Sequence, residues 1–385
     1  MKTAYNHVLL IILLAALTSV TPLSIDTYLP SMPLIAAFFS VSIDKIEITI
    51  SIFLLFFAFG QLIGGRLSDK IGRRKTALIG LVVFSFANFA LFFTTTLEEF
   101  YLLRAIQAFS GGMAIVNSSA IVRDLFHGKE AAKVYSTIAS ITMIAPMIAP
   151  AIGAAIITYY PWNYVFLFLG IYSSVVTLLI FTNLPETGTR TTSNLLEAYK
   201  RVLTHKEAIS YILALTFSFS GMFIFIEKSS FIYMEYFRVD RHIFPILFGS
   251  NVLVMIFMTR LNIKLVKKFH PRTILITGIT IQFIASLILL VISFHPNIIA
   301  VFVAMTLYVG ILGLIFGNGV ALALDFFKSD SGVATSVIGV TEFTIAGFIG
   351  FIAASIHTGE LTTIFLMMSA TSLIALLVLK KINAK

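Results

Sequence analysis

Two charged residues interrupt apolar stretches in the first half of this chain. Asp26 stands between two prolines in Thr21-Pro22-Leu23-Ser24-Ile25-Asp26-Thr27-Tyr28-Leu29-Pro30, and Arg104 opens Arg104-Ala105-Ile106-Gln107-Ala108-Phe109-Ser110-Gly111-Gly112. An ionisable group in such a stretch is expensive to bury and by default faces a cavity or a partner. Asp26 facing Arg104 could take or lose a proton as its surroundings open and close, and a permanent Asp26–Arg104 strut is the plainer alternative. Arg104, Gln107 and Gly111 recur at i, i+3 and i+7 and so share one helix face. In the second half, Glu227 and Lys228 are adjacent and point to different faces of a helix. Glu342 lies midway along an apolar run, with no basic residue between Lys328 and Lys380. An acid there needs a proton, cavity water or a cation, the candidates being Lys228, Arg104 and a charged substrate. Asn318, within Gly317-Asn318-Gly319, belongs to close packing or to a cavity wall.

Other chemistries find little support. Cysteine is absent, so disulfides, thiolate metal sites and Cys nucleophiles are excluded. The seven histidines (His7, His127, His205, His242, His270, His295, His357) are scattered with no ligand spacing, and no metal site is expected. No nucleophile and base converge as an enzyme requires. No polar or carbonyl-lined segment repeats as a channel filter would.

The elements that must hold these residues follow from composition. Of 385 residues, 58% are hydrophobic and 12% charged, about half the charged share of a soluble domain. Mean hydropathy is +0.98, so lipid must cover most of the surface. A membrane span needs about 20 largely apolar residues. Such runs recur at about 8–36, 46–65, 76–96, 98–122, 134–158 and 162–183, then 208–234, 243–263, 271–294, 297–324, 332–356 and 361–379. This pattern predicts an all-α membrane protein of twelve transmembrane helices in two six-span halves, residues 1–187 and 208–385, with a cytoplasmic linker at 188–207. The start, Met1-Lys2 and an apolar run, imitates a signal peptide, but the run is too long and more spans follow at once, so it reads as an uncleaved first helix.

Lys and Arg accumulate in cytoplasmic loops. Of the 27 here, only Lys45, Arg238 and Arg241 fall on the side opposite the N-terminus, and Arg104 and Lys228 lie within spans. Both termini and the linker are therefore expected in the cytoplasm. The net charge of +9 reflects topology and not a nucleic-acid footprint.

Three stretches carry ordered motifs. Between spans 2 and 3 runs Gly65-Arg66-Leu67-Ser68-Asp69-Lys70-Ile71-Gly72-Arg73-Arg74-Lys75. Gly65 permits close helix approach, Asp69 can cap or pair at a helix end, and Gly72 allows a tight turn. Span 4 ends Val122-Arg123-Asp124-Leu125-Phe126. Span 5 carries Ala145-Pro146-Met147-Ile148-Ala149-Pro150-Ala151-Ile152-Gly153. Its Ala145, Ala149 and Gly153 form a small-residue stripe, and its prolines bend the helix.

The first loop resembles the Gly-x-Leu-(Ser/Ala)-Asp-x-x-Gly-Arg-(Arg/Lys) signature of the major facilitator superfamily. Arg104-x-x-Gln107 and the Pro146, Pro150 and Gly153 stretch are similar to antiporter motifs of spans 4 and 5, with Ala154 replacing the second glycine of the latter. Asp26-x-Tyr28-Leu29-Pro30, Arg123-Asp124-Leu125-Phe126 and the Phe231 to Phe237 stretch resemble the bicyclomycin-resistance (Bcr/CflA) branch of the drug:proton antiporters. Glu227-Lys228 and Glu342 depart from it.

The resemblance implies two bundles of inverted three-helix repeats rocking about a midplane site. It implies proton-driven export of small amphipathic drugs or toxic compounds, with protons the coupling ion and no other cofactor. Asp26 and Arg104 would couple protons. Tyr28, Gln107, Glu227, Asn318 and Glu342 would line the substrate cavity, where aromatic and Met side chains accept varied shapes. Gly65, Asp69, Gly72, Arg73, Arg74 and Asp124 would form the cytoplasmic gate. An exporter or proton symporter of a physiological metabolite shares every one of these features. The expected setting is a bacterial inner membrane, with a small-molecule substrate, cations included, no nucleic-acid partner and a monomeric working unit.

Overall fold

A computed structural model describes residues 7–187, 195–327, 331–356 and 359–380. Met1 and Lys2, the first part of the linker (188–194), Lys328, Asp330, His357, Lys381 and Lys385 lie outside the described residues. Among those described, twelve helices are long and apolar enough to cross a membrane: His7–Phe39, Ile43–Ile71, Arg73–Phe92, Leu97–Leu125, Lys133–Tyr159, Tyr164–Asn183, Lys206–Tyr236, Phe244–Leu265, Pro271–Ile292, Ile298–Leu324, Gly332–Ser355 and Leu361–Lys380. They are numbered here as spans 1 to 12. Each falls on one of the apolar runs of the sequence, because in lipid every backbone amide must be satisfied within its own helix.

Helix ends and breaks follow from local chemistry. Span 4 opens with a reciprocal cap, in which Glu99 N donates to Thr96 Oγ1 at 3.3 Å and Thr95 N to Glu99 Oε2 at 3.2 Å. Spans 2 and 4 have 29 residues each, about 43 Å of helix, and the excess carries Asp69 and Asp124 past the apolar core. Span 1 is interrupted: an α-helix His7–Asp26, a 3-10 turn Leu29–Ser31 and a second helix Met32–Phe39. Pro30 supplies no amide to continue the ladder. Span 5 breaks between Gly128–Thr142 and Ile144–Tyr159, where Pro146 cannot donate to the Thr142 carbonyl. Span 7 ends in a π-helical stretch, Phe231–Tyr236. The linker contains a helix, Leu195–Thr204, with Ala198 and Val202 buried and packed toward span 11.

The chain forms two compact units, Met1–Val41 with Ile52–Thr192, and Ser42–Ser51 with Ser193–Lys385. Span 2 is therefore shared, its first turns grouping with the second unit. Within unit 1, span 3 packs on spans 4 and 6, and span 1 on spans 4, 5 and 6. Within unit 2, span 9 packs on spans 10 and 12, and span 7 on spans 10, 11 and 12. The second unit thus repeats the first, six spans later.

Gly65 does not mediate the close helix approach expected of it. A Cβ there would meet only Val116 Cγ2, at 3.9 Å. The approach belongs to Gly64, one position earlier, where a Cβ would stand 2.6 Å from Met113 Cα of span 4.

Candidate functional site

The break in span 1 sets up the first polar site. Asp26 ends the first helix and is 3% exposed, and its Oδ1 has no hydrogen-bond partner. Span 5 is pressed against this break. A Cβ at Gly153 would sit 2.9 Å from the Thr27 carbonyl carbon and 3.4 Å from Pro30 Cδ. The small-residue stripe therefore fits span 5 around the residues that hold Asp26.

Arg104 is fully buried beside this break but does not pair with Asp26. Its Nη1 donates to Gln107 Oε1 at 2.5 Å and to the Ser24 carbonyl at 3.2 Å. Its guanidinium lies 4.5 Å from the Tyr28 ring centroid and 4.8 Å from that of Phe53. Gln107 Nε2 donates onward to Asn88 Oδ1 at 2.7 Å, and Asn88 to the Phe84 carbonyl at 2.8 Å. Among the described residues Arg104 forms no ion pair. The expected Asp26–Arg104 facing pair, and the strut alternative with it, are corrected on this point. Aromatic faces, the Gln107 amide oxygen and a backbone carbonyl satisfy the cation instead, and Nε and Nη2 remain without hydrogen-bond partners. Tyr28 and Gln107, expected on a cavity wall, are fully buried in this network.

The loop between spans 2 and 3 gathers the residues expected there. Arg73 binds Asp69, donates from Nη1 to Ser68 Oγ at 3.0 Å, and from Nε to Asp124 Oδ2 at 3.2 Å. Thr187 Oγ1 donates to the same Asp124 oxygen at 3.2 Å. Gly72 has φ +109°, a conformation that side chains rarely adopt. A Cβ there would also strike the Glu186 carboxylate, 2.6 Å from Oε1. That carboxylate accepts from Arg74 N at 3.1 Å and Lys75 N at 3.2 Å, an anion on the exposed amides of a helix N-terminus. Arg74 turns away from Asp69 and donates to the Phe181 carbonyl, its guanidinium 5.3 Å from the Phe181 ring. Glu186 is a further member of this cluster. Its place in Leu184-Pro185-Glu186-Thr187, directly after span 6, was its only sequence signal.

Unit 2 holds a different set. Lys228 Nζ donates to Glu47 Oε2 at 2.6 Å, and Ser51 Oγ donates to both Glu227 oxygens at 3.0 Å. The Glu342–Lys228 bridge weighed from the sequence is thereby corrected, since Lys228 is engaged elsewhere. Glu342 is 3% exposed and its Oε1 has no hydrogen-bond partner. Asn318 donates to Asn262 Oδ1 at 2.7 Å and to the Leu314 carbonyl at 2.7 Å, which ties span 10 to span 8. Glu47 carries no signal of its own in the sequence, because it lies within a turn of the polar stretch Ser42-Ile43-Asp44-Lys45 between spans 1 and 2. Among the described residues no group of three or more His, Cys, Asp or Glu could hold a metal ion.

Residues 14–351 match the family model described as Major Facilitator Superfamily. A bicyclomycin resistance protein homolog of Haemophilus influenzae is 31% identical over 382 residues, covering 95% of this chain and 94% of that protein. The multidrug resistance protein MdtL of Klebsiella pneumoniae is 26% identical, covering 94% of this chain and 93% of its own. In structure the chain resembles the xylose transporter XylE from E. coli, with TM-score 0.79 and 15% identity over 98% of both chains. At that identity the likeness speaks for the fold alone.

Proposed function

The chain belongs to the major facilitator superfamily, and we propose that it is a proton-coupled exporter of small amphipathic, drug-like compounds working by alternating access. The observation that carries this reading is Asp26, a buried carboxyl group with an unpartnered oxygen, set in the break of span 1. Arg104 is fixed on the carbonyl of Ser24, two residues away. A proton arriving or leaving at Asp26 changes the charge beside an immobile cation. Proton binding there competes with or follows release of the substrate, so an inward proton gradient drives outward flux. The relatives named for bicyclomycin and multidrug resistance support export of drug-like compounds. The charge distribution supports a bacterial inner membrane with both termini in the cytoplasm.

The test is a proteoliposome assay with an imposed pH gradient, run against a panel of cationic, neutral and anionic compounds. Asp26→Asn is expected to abolish uphill transport while leaving substrate binding measurable. If Asp26→Asn still concentrates substrate against a gradient, coupling lies elsewhere, with Glu342 first in line. Accumulation in the same direction as the proton flow would establish a symporter.

A further inference from the structure

Unit 2 buries more acid than base at one place. Glu47 and Glu227 are fully buried and Lys228 is 3% exposed. Lys228 spends its charge on Glu47 Oε2, leaving Glu47 Oε1 without a hydrogen-bond partner. Glu227 receives no ammonium contact, only the single hydroxyl of Ser51 shared between its two oxygens. Its other side is closed by Gly350 of span 11, where a methyl group would stand 2.6 Å from Ser51 Oγ.

Asp44 and Glu235 are acidic neighbours of Glu47 with partners of their own, and the ammonium in contact with Glu47 is that of Lys228. Span 11 brings Glu342, eight residues from Gly350 or about 12 Å of helix. Spans 10 and 12 bring no charged residue except Lys380 at the far end of span 12. Two carboxylates against one ammonium leave one excess negative charge. A buried carboxylate without a counter-charge is far more costly than its neutral form, and such a site neutralises itself by taking up a cation. One hydroxyl donor cannot satisfy a carboxylate that offers about four lone-pair positions.

We propose that Glu47, Lys228, Glu227 and Ser51 form a proton-binding site separate from Asp26, holding one exchangeable proton. Glu227 carries that proton while Lys228 is engaged by Glu47. The two acids titrate as a coupled pair, so the number of protons held is set by counting acids against the base. Glu227→Gln or Glu47→Gln leaves one acid and one ammonium, and the site binds no proton. Lys228→Met leaves two acids and no ammonium, and the site binds two. A double Glu227→Gln, Lys228→Met variant returns to one.

The experiment is infrared spectroscopy of the purified full chain at neutral pH, reading the C=O stretch that a protonated carboxyl has and a carboxylate lacks. It requires no substrate, so its outcome is independent of whether Asp26 couples transport. Glu227→Gln is expected to remove one band that shifts on exchange into D2O, and Asp26→Asn to leave that band in place. Ser51→Ala, which is close in size, is expected to keep the band but move its frequency, because the hydroxyl partner is gone. Lys228→Met is expected to add a band. Should Lys228→Met not fold, Glu47→Gln provides the opposite sign by removing one. An unchanged spectrum in Glu227→Gln, or a band that appears only when Na⁺ is withdrawn, overturns the proposal. In the second case a metal cation, and not a proton, balances the charge.

Discussion

Substitution of Arg104 separates what its guanidinium does for the fold from what it does for transport. The group is fully buried, makes two hydrogen bonds and lies against two rings, with Nε and Nη2 unpartnered. Two hydrogen bonds from a charged donor contribute about 1.5–3 kcal/mol each, and two desolvated ring contacts about 1–2 kcal/mol each. Against them stand several kcal/mol for desolvating the ion and about 1–3 kcal/mol for each orphaned donor. The opposing terms are of similar size. Arg104→Met removes all of them together but leaves the buried Gln107 Oε1 without its donor, so it is expected to lower stability by about 2 kcal/mol. Arg104→Lys keeps the buried charge but has no plane to lie between Tyr28 and Phe53, and its donors radiate from one point. It forfeits one hydrogen bond and most of the ring contact, a loss of about 3 kcal/mol.

The conservative replacement is thus expected to be the less stable one, while both abolish pH-driven uphill transport. Thermal unfolding of the purified chain can be followed through Trp162, the sole tryptophan, which is buried in unit 1 among Phe38, Phe39, Phe100 and Phe166. Transport is measured in vesicles under the same pH gradient. A lysine variant as stable as the wild type beside a collapsed methionine variant would refute the reasoning. It would mean that the site needs a positive charge and not a planar fork.

Asp69→Asn leaves Arg73 its bonds to Ser68 and Asp124 and weakens one charged contact. Initial rates for every substrate are expected to fall together, by about tenfold for each 1.4 kcal/mol lost. A changed substrate range with some rates intact would show that Asp69 selects and does not gate. Glu342→Gln is expected to weaken export of lipophilic cations while sparing neutral compounds in the vesicle panel, because it removes a buried acid whose unpartnered oxygen is open to a cation. Equal losses for both classes would assign the residue to proton coupling or structure. Single cysteines at the exposed positions His127, Ser42 and His295 test topology without a background thiol. His127 is expected to label only from the cytoplasm and the other two only from outside, and external labelling of His127 would invert the orientation.

What was legible in the sequence and what was not divides along a physical line. The length and composition of a span are local properties, fixed by the thickness of the bilayer, and all twelve runs became helices. The causes of the breaks in spans 1 and 5 are equally local, because Pro30 and Pro146 act on their own turns, but only the bend of span 5 was expected, and Pro22 and Pro150 stay inside their helices. Partners of charges are not local. Arg104 could have been satisfied by a carboxylate, but Tyr28, two residues beyond Asp26, presents a ring to it instead. Hydropathy does not distinguish the two outcomes. Gly64 and Gly65 differ by one step along a helix, about 100° of rotation, and the sequence marks both as small without saying which faces Met113. Glu47 is the sharpest case, since its burial depends on Lys228, 181 positions away. A carboxylate one turn inside a span can remain at the rim unless another helix delivers a cation to it. That dependence runs in both directions. Lys228 is itself an anomaly in span 7; the sequence offers it the mid-span Glu342, and its neighbour Glu227 points to a different helix face. By choosing Glu47 it leaves both of those without an ammonium partner. The unbalanced acids of unit 2 therefore arise from a single choice of partner, and the proton-binding site proposed for that unit rests on that choice.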